Sequence, residues 1–529
     1  DLEKTVEDCI DLIEAAQSSN GYINTNFPEA CAHERWTRVD TLHELFAAGH
    51  LIQAGIAHRR VRGKSRLFEI AVRFADHIYE VFGPGKKEEY PGHPEVSAAL
   101  VELYRETGDR RYLDTAVFFT DQTGGKTMTE ILGHAVKALF FNCDMADCYA
   151  ETGDIAYKDS LESLWHSMVR TKMYVTGGVG GRPAGESVGR EWELPHETGY
   201  AETCANIANV MWNWRMLILS GEARFADLME LALYNSVISG VSLSGTEYFY
   251  DNPHRTSGTG ALPPDPWDYV ESLRCRQIRQ AWFDTACCPP NLARLIASLR
   301  GYFYTTSNEG IWMHLYDSGE VNWQLPDGTP VHLHTVTNYP WDGQIEIEVD
   351  VAETAEFSLF LRIPGWCQEA HLRVGGTDIV EKVEAGKYFE VRRVWDSGIT
   401  RVELELSMLP EFITANPMLM EARGAVAIKR GPIVYCLESV DNPGFSVRNA
   451  QIITDECLQT EYHSELLGGV VLIKGNGLAP VREWGGLYRV RSQAWEEQSR
   501  SVSLIAVPYY TWANRGISEM TIWIRTDSN

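Results

Sequence analysis

Two adjacent cysteines followed by two prolines, at positions 287–290, form a stretch of this sequence with distinctive chemistry. The prolines remove backbone donors and a disulfide between neighbouring cysteines is strained, so the stretch suits neither a strand interior nor a disulfide. Upstream, one residue separates a glutamate from a third cysteine. Three thiolates and one carboxylate are a tetrahedral ligand set that Zn²⁺ accepts. The sequence therefore predicts a zinc site with the ligands Glu202, Cys204, Cys287 and Cys288, at a spacing unlike that of zinc fingers.

Two other interpretations of these cysteines stay open on spacing alone. Cysteine is among the residues most often buried, and a pair of cysteines can simply fill a core. A zinc ion that only stabilises the fold is the second alternative. The neighbouring residues favour a polar site over a core, because Trp282, Asp284, Asn291 and Arg294 place polar groups around the thiols.

Charge and cysteine usage limit the class of partner. The 529 residues have a formal net charge of −26, which disfavours binding to nucleic acids or anionic membranes and leaves neutral carbohydrates as better ligands. Eleven cysteines follow no regular disulfide framework, and thiolate ligands persist in a reducing compartment, so we expect a cytoplasmic location. No run of about eighteen apolar residues predicts a membrane span, and the first residues do not resemble a signal peptide.

The elements that position these residues begin with helices. Apolar residues recur at helical spacing at Leu67, Ile70, Phe74 and Ile78. A glycine followed by a charged residue recurs at Gly63, Gly108, Gly153 and Gly221, the first three at a constant spacing. Each glycine is expected to end one helix in the left-handed conformation before the next helix opens. One helical hairpin per repeat stacks into a solenoid or closes into a toroid.

A polar, glycine-rich segment interrupts the helical pattern between Val175 and Gly199. Long polar loops inside a helical domain are often functional. This loop contains Glu186. A solvated surface acid is the alternative interpretation of that residue.

Alternating apolar residues replace the helical pattern after about residue 301, as in Ile345, Ile347, Val349 and Val351. Such alternation is typical of half-buried strands and predicts a β-sandwich. A second set of strands predicts another sandwich-like unit, with Pro410–Met418 as an irregular crossover. The expected fold class is multidomain α + β, with domains at residues 1–302, 303–418 and 419–529.

Several motifs resemble glycoside hydrolase family 127, the β-L-arabinofuranosidase family. They are Gly-Glu-Ser-Val-Gly at 185–189, Glu-Leu-Pro at 193–195, Tyr-Ala-Glu-Thr-Cys at 200–204, Tyr-Phe-Tyr-Asp-Asn-Pro at 248–253 and Cys-Cys-Pro-Pro-Asn-Leu-Ala-Arg at 287–294. The resemblance covers nearly the whole chain. It implies that the helices close into an (α/α)6 barrel with the ligand in its mouth.

The resemblance also implies a mechanism. Cys287 would attack the anomeric carbon, and zinc coordination makes this reasonable because it keeps sulfur ionised at neutral pH. Glu186 would be the general acid/base. Glu202 would be a metal ligand rather than the acid.

Sugar-binding residues follow from the same resemblance. His50, His93 and His134 correspond to histidines that bind sugar hydroxyls, with His43 competing with His50, and Tyr250 is a further candidate. A histidine that starts a helix is often only structural or a cap, and this alternative stays open. His196 departs from the family, which usually has asparagine after Glu-Leu-Pro.

The function implied is that of a retaining exo-glycosidase acting on β-L-arabinofuranosides or a related furanoside. Two alternatives from other classes remain: a sugar epimerase or lyase with histidine bases, and a non-catalytic carbohydrate-binding protein stabilised by zinc. The expected partner is a carbohydrate, with neither nucleic acid nor membrane. The oligomeric state stays open, with a homodimer as the assembly considered.

Overall fold

The computed structural model describes residues 2–258, 278–481, 488 and 499–526. The chain divides into two compact units, Asp1–Arg170 and Thr171–Asn529. None of the described helices is long and apolar enough to cross a membrane.

The α-helices of the described residues fall mostly in the first unit. They are α1 (Leu2–Ala16), α2 (Glu44–Arg62), α3 (Arg66–Val81), α4 (Val96–Thr107), α5 (Arg110–Gln122), α6 (Ala135–Thr152), α7 (Ile155–Thr171), α8 (Thr203–Ser220), α9 (Ala223–Ala232) and α10 (Cys288–Ser298). Within the first unit, α2 packs on α3 and α4, and α4 packs on α5 and α6. The helical period predicted for α3 is confirmed, since Leu67, Ile70, Phe74 and Ile78 are all buried.

The glycine repeat marks helix ends, as predicted. Gly63, Gly108, Gly153 and Gly221 follow α2, α4, α6 and α8 with φ between 66° and 76°. Glycine adopts this left-handed backbone without a steric penalty, and its N–H caps a carbonyl of the last turn. The next helix starts two or three residues later, which makes one helical hairpin per repeat. Closure of the hairpins into a barrel stays a prediction.

The strands lie in the second unit. They are β1 (Arg255–Ser257), β2 (Tyr304–Thr306), β3 (Gly310–Met313), β4 (Gly319–Gln324), β5 (Pro330–Thr337), β6 (Gln344–Val351), β7 (Ala355–Ile363), β8 (Ala370–Val374), β9 (Thr377–Asp378), β10 (Lys387–Trp395), β11 (Gly398–Leu406), β12 (Pro410–Thr414), β13 (Ala425–Arg430), β14 (Ile433–Glu438), β15 (Gln451–Ile452), β16 (Gln459–His463), β17 (Val470–Pro480), β18 (Ser499–Pro508), β19 (Glu519–Thr521) and β20 (Ile524–Thr526).

Strands β2 to β11 form two sheets that share one apolar core. The four-stranded sheet has the order β10-β7-β3-β2, and the six-stranded sheet has the order β4-β5-β6-β11-β8-β9. The predicted alternation is confirmed in β6, whose Ile345, Ile347, Val349 and Val351 all point into this core. Facing apolar sides of two sheets are the arrangement expected of a sandwich.

The remaining strands form one ten-stranded sheet, and two of its members were not expected from the sequence. Pro410–Thr414 was predicted to be an irregular crossover, which is wrong, because it pairs as β12 with β13. A proline is tolerated there because Pro410 is the first residue of β12, which lies at the edge of the sheet. The second surprise is β1, which lies far upstream in the chain and pairs with β19. The predicted domain boundaries stay predictions.

A buried arginine joins helix α9 to the four-stranded sheet. Arg362 on β7 is fully buried, and its Nη1 lies 2.5 Å from Oδ1 of Asp227. Its Nη2 contacts Glu230, which also accepts a 2.5 Å hydrogen bond from the Tyr339 hydroxyl. The two carboxylates compensate the positive charge of the Arg362 guanidinium, which is buried away from water.

Candidate active site

The N-terminus of α8 holds the first two predicted ligands. Glu202 precedes the helix as its N-cap residue, and Cys204 is the second helical residue. Both side chains are buried. The hydroxyl of Tyr200 donates a hydrogen bond to Oε2 of Glu202, which leaves Oε1 directed toward the cysteines.

The N-terminus of α10 holds the other two. Cys287 is its N-cap residue and Cys288 its first helical residue, followed by Pro289 and Pro290 in the first turn. Prolines are tolerated there because the first helical N–H groups have no carbonyl partner within the helix. Two helix N-termini therefore meet at the thiols, and the positive ends of the helix dipoles favour negative charge at this place.

The structure brings the four predicted ligands together. One ligand atom from each of Glu202, Cys204, Cys287 and Cys288 lies within 4.8 Å of all the others. The Cys288 sulfur is 3.7 Å from the sulfurs of both Cys204 and Cys287, and the Cys287 sulfur is 3.2 Å from Oε1 of Glu202. A tetrahedral zinc ion bonded to sulfur at about 2.3 Å separates its sulfur ligands by roughly 3.8 Å. The donor set and its spacing therefore fit a tetrahedral zinc ion.

The pKa shifts of these groups show the effect of burial and of their mutual contacts. Burial raises the pKa of the Glu202 carboxyl and of the Cys288 thiol well above their ordinary values. A hydrogen bond to Cys287 raises the pKa of Cys204, whereas hydrogen bonds from the Cys204 and Cys288 thiols lower the pKa of Cys287. A bound cation would favour the ionised form of each ligand.

Glu186 lies at the tip of a tight turn within the polar loop. The turn is closed by paired backbone hydrogen bonds between Arg182 and Ser187. Glu186 itself has φ 51°, a left-handed conformation that a residue with a side chain rarely adopts. Such local strain is often found at functional sites. Its Oε1 accepts a 3.3 Å hydrogen bond from the Tyr250 hydroxyl.

Tyr250 links this acid to the thiols. Its hydroxyl also helps to lower the pKa of the Cys287 thiol. The backbone carbonyl of Tyr250 accepts a hydrogen bond from the N–H of Thr203, the first residue of α8. Tyr250 therefore contacts the acid and the helix that presents Cys204, and its hydroxyl influences the ionisation of Cys287.

The predicted sugar-binding histidines lie in the first unit and gather around one ring. The Phe46 ring centroid is 4.2 Å from that of His93 and 4.4 Å from that of His50. The His134 ring is 6.3 Å from His93. His43 also lies close to His93, at 5.8 Å, so the choice between His43 and His50 stays open.

Two features of these histidines distinguish their surroundings. Nε2 of His50 is 3.2 Å from Oε2 of buried Glu95, whereas burial lowers the pKa of His93 to about 4.

His196, the residue that departs from the family pattern, is buried with its ring stacked on Trp523 at 5.9 Å. His196 therefore packs against Trp523, which lies between β19 and β20 of the ten-stranded sheet.

Family models match the chain from end to end. The model of the β-L-arabinofuranosidase GH127 catalytic domain matches residues 1–301, that of the GH127 middle domain matches 310–408, and that of the glycoside hydrolase family 127 C-terminal domain matches 410–525. The chain belongs to glycoside hydrolase family 127. It is accordingly a glycoside hydrolase, and the epimerase, lyase and non-catalytic alternatives no longer apply.

Relatives in GH127 have closely similar sequences and structures. The non-reducing end β-L-arabinofuranosidase of Bifidobacterium longum subsp. longum is 33% identical, over 99% of this chain and 85% of the relative. The crystal structure of a GH127 β-L-arabinofuranosidase from Geobacillus stearothermophilus T6 is 38% identical with a TM-score of 0.92, covering 99% of this chain and 87% of that one. A GH127 β-arabinofuranosidase structure is 33% identical with a TM-score of 0.88, covering 99% and 84%. These structures contain both helices and β domains.

Sequence reasoning missed two partners of the GH127 site. Tyr200 belongs to the Tyr-Ala-Glu-Thr-Cys motif at 200–204. Apart from the short distance between Tyr200 and Glu202 in the sequence, nothing indicated that the two side chains form a hydrogen bond. The contact between Tyr250 and Glu186 joins residues 64 positions apart, which no local pattern predicts. The helix start at Cys288 did have a signal, since paired prolines often open a helix.

Proposed function

We propose that this chain is a retaining exo-glycosidase that hydrolyses β-L-arabinofuranosides, with Cys287 as nucleophile and Glu186 as general acid/base. One observation carries the proposal: three sulfurs and one carboxylate lie within 4.8 Å of one another at two helix N-termini. The substrate class comes from the relatives, which are named β-L-arabinofuranosidase, one of them acting at the non-reducing end.

Glu202, Cys204, Cys287 and Cys288 would hold a zinc ion in this proposal. When bound, zinc stabilises the Cys287 sulfur as a thiolate at neutral pH. The closed set of four protein ligands is also compatible with a structural ion. The proposal is therefore tested at the sulfur of Cys287 itself.

In the first step, the Cys287 sulfur would form a bond to the anomeric carbon as the bond from that carbon to the leaving oxygen breaks. Glu186 would give its proton to the leaving oxygen. In the second step, Glu186 would take a proton from water while the water oxygen bonds to the anomeric carbon and the carbon–sulfur bond breaks. Two displacements at one carbon return its original configuration, so the enzyme would retain it.

The remaining expectations are part of the same proposal. His50 or His43, together with His93, His134 and Tyr250, would bind hydroxyl groups of the sugar. The helices would close into an (α/α)6 barrel over residues 1–302, followed by β domains at 303–418 and 419–529.

The experiment that tests the proposal combines labelling with product analysis. A furanoside electrophile that mimics the substrate should add its mass to the peptide containing Cys287, and proton NMR should detect the β-anomer as the first product. A Cys367→Ala variant, which changes a buried cysteine outside the cluster, should still be labelled at Cys287. Labelling of Glu186 or Glu202, or release of the inverted anomer, would contradict the thiolate nucleophile.

The acid/base role has its own signature. Glu186→Gln should slow hydrolysis of a methyl glycoside more than that of a nitrophenyl glycoside, because a good leaving group needs less protonation. Glu191→Gln changes an exposed acid of the same loop and should change neither rate. Equal losses on both substrates would exclude Glu186 as the proton donor.

A further inference from the structure

Phe249, the residue before Tyr250, is held between two side chains. On one face its ring stacks on Trp512, with centroids 4.6 Å apart and planes 7° from parallel. The guanidinium of Arg279 also lies over the Phe249 ring, 4.4 Å from the centroid. Phe249 and Trp512 are fully buried, and Arg279 is 5% exposed. We call these three residues the Phe249 clamp.

The clamp is itself fixed by backbone contacts. Arg279 donates hydrogen bonds to the carbonyls of Trp512 and Ser239, at 2.6 and 2.8 Å. The residue after Trp512 has its N–H bound to the buried carboxylate of Glu438, at 3.0 Å. Because leaving the terminal nitrogens of a buried guanidinium without acceptors is unfavourable, these contacts favour a single arrangement of the clamp.

A second contact fixes the other side of the Tyr250 segment. The hydroxyl of Tyr509 donates a 3.0 Å hydrogen bond to the carbonyl of Pro253, and its ring stacks on His254 at 5.5 Å. Tyr250 therefore lies between two points that residues 509–512 hold. The freedom of its backbone is restricted from both directions.

The held segment leads directly to the site. The carbonyl of Phe249 accepts a 2.8 Å hydrogen bond from the Thr203 hydroxyl, and the next carbonyl accepts one from the Thr203 N–H. The hydroxyl of Tyr250 then donates its hydrogen bond to Glu186, and it also helps to lower the pKa of the Cys287 thiol. A shift of Phe249 would move the hydroxyl away from both groups.

We propose that Trp512 and Arg279 are positioning residues, which hold Phe249 and so determine where the Tyr250 hydroxyl lies between Glu186 and Cys287. This inference rests on the proposed function for its effect on turnover. The loop at residues 509–512, in the β-rich part of the chain, would then contribute to catalysis by positioning Tyr250. None of its own groups would react with the substrate. Misplacement of a catalytic contact by about 1 Å can slow an enzyme roughly 100-fold.

The experiment compares two buried tryptophans that each stack on a phenylalanine. Trp512→Leu removes the clamp ring, whereas Trp395→Leu removes the ring that stacks on Phe357 at 5.3 Å, in the core shared by the two smaller sheets. Both lose a large buried side chain. We expect Trp512→Leu to lower kcat for a nitrophenyl β-L-arabinofuranoside by roughly 10- to 100-fold. Trp395→Leu should lower the melting temperature and leave kcat within about twofold, since its core does not contact the site.

A conservative variant and a second clamp variant complete the test. The indole N–H of Trp512 has no hydrogen-bond partner among the described residues, so Trp512→Phe keeps a stacked ring and should restore most of kcat. Arg279→Met removes the other side chain of the clamp and should lower kcat as Trp512→Leu does. If Trp512→Leu does not fold, the kcat of Arg279→Met tests the proposal in its place. Equal kcat losses in Trp512→Leu and Trp395→Leu, or no loss in either clamp variant, would overturn the proposal.

Amide hydrogen exchange separates this inference from the proposed function. In Trp512→Leu, exchange in a peptide spanning residues 248–254 should be faster than in the wild type, and in Trp395→Leu it should be unchanged. A wild-type chain inactive on arabinofuranosides would contradict the proposed function. Unchanged exchange at 248–254 in Trp512→Leu would contradict the clamp, whatever the wild type hydrolyses.

Discussion

The hydroxyl of Tyr250 donates a hydrogen bond to Oε1 of Glu186 across 3.3 Å. The same hydroxyl helps to lower the pKa of the Cys287 thiol, so one phenol acts on both groups that the proposed mechanism uses. A hydroxyl has a single proton to donate, and it can therefore stabilise only one of the two groups at a time. This makes Tyr250 a sensitive position for substitution.

We expect Tyr250→Phe to lower kcat/KM by roughly 10- to 100-fold without changing the melting temperature, because a hydrogen bond to a charged group contributes about 1.5–3 kcal/mol. Steady-state kinetics on a nitrophenyl furanoside would measure this. Tyr316→Phe is the control, since that buried hydroxyl donates a hydrogen bond to the carbonyl of Arg362 in the core shared by the two smaller sheets. Similar kinetic losses in both variants would argue against a specific role for Tyr250.

Zinc content should depend on the clustered cysteines. Cys204→Ser and Cys288→Ser each replace one sulfur with a poorer ligand, and metal analysis of the purified variants should show loss of zinc. Cys367→Ser should keep its zinc, because its sulfur is not part of the cluster and donates a hydrogen bond to a backbone carbonyl at 3.1 Å, where a hydroxyl can substitute. Full zinc retention in both cluster variants would rule out the assigned ligands.

The stability of the first unit should fall as pH rises. Burial, with help from the carboxylates of Glu95 and Asp147, raises the pKa of Asp144 from 3.8 to about 8. Between these values the folded chain holds a proton that the unfolded chain releases, so this contribution is complete below pH 4 and is lost by about pH 8. Asp144 accepts hydrogen bonds from the N–H groups of Glu95 and Ala98 at the start of α4.

Asp144→Asn removes this titration while keeping one acceptor oxygen. Its stability relative to the wild type should therefore increase from pH 5 to pH 8, as measured by thermal unfolding of the first unit at both values. Asp114→Asn, which changes an exposed residue of α5, should follow the wild-type pH dependence. Parallel curves for Asp144→Asn and the wild type would show that Asp144 is ionised throughout this range.

The buried ion pairs of Arg362 should be important for stability. Arg362→Leu leaves Asp227 and Glu230 without their cation, and breaking a buried pair in this way costs about 3–5 kcal/mol. Chemical unfolding would measure the loss. Arg401→Leu also removes an arginine that pairs with a carboxylate, at 3.1 Å, but on an exposed sheet face, and it should have little effect. A small loss in Arg362→Leu would mean that the helix and sheet adjust around the missing charge.

Local sequence signals predicted the features that depend on neighbouring residues. The glycines at helix ends were predictable because left-handed backbone at a helix terminus strongly favours glycine. The strand at Ile345–Val351 was predictable because its alternation matches the two faces of a strand. Pro410–Thr414 was mispredicted because a proline disfavours only a central strand, and position in the sheet is not a local property.

One part of the candidate site was predictable from the local sequence, and another part was not. The residue types of Glu202, Cys204, Cys287 and Cys288 predicted a ligand set, and the structure brings these four residues together. The clamp around Phe249 was not predictable, because Trp512 is one of 16 tryptophans and nothing in its local sequence differs from that of a core residue. Contacts between distant segments depend on the whole fold.

The pairing of β1 with β19 has a consequence for synthesis of the chain on the ribosome. The first residue of β19 follows the first residue of β1 by 264 positions (519 − 255). At translation rates of about 5–20 residues per second, roughly 13 to 53 s pass between the appearance of the two strands. During that interval, Arg255–Ser257 cannot pair with β19, and the neighbouring Tyr250 segment lacks its contacts with Tyr509 and Trp512 for most of the same time. The helices at the thiols can form early, and we expect activity to appear only after the ten-stranded sheet is complete, which activity assays of chains truncated before β19 and of the full chain would reveal.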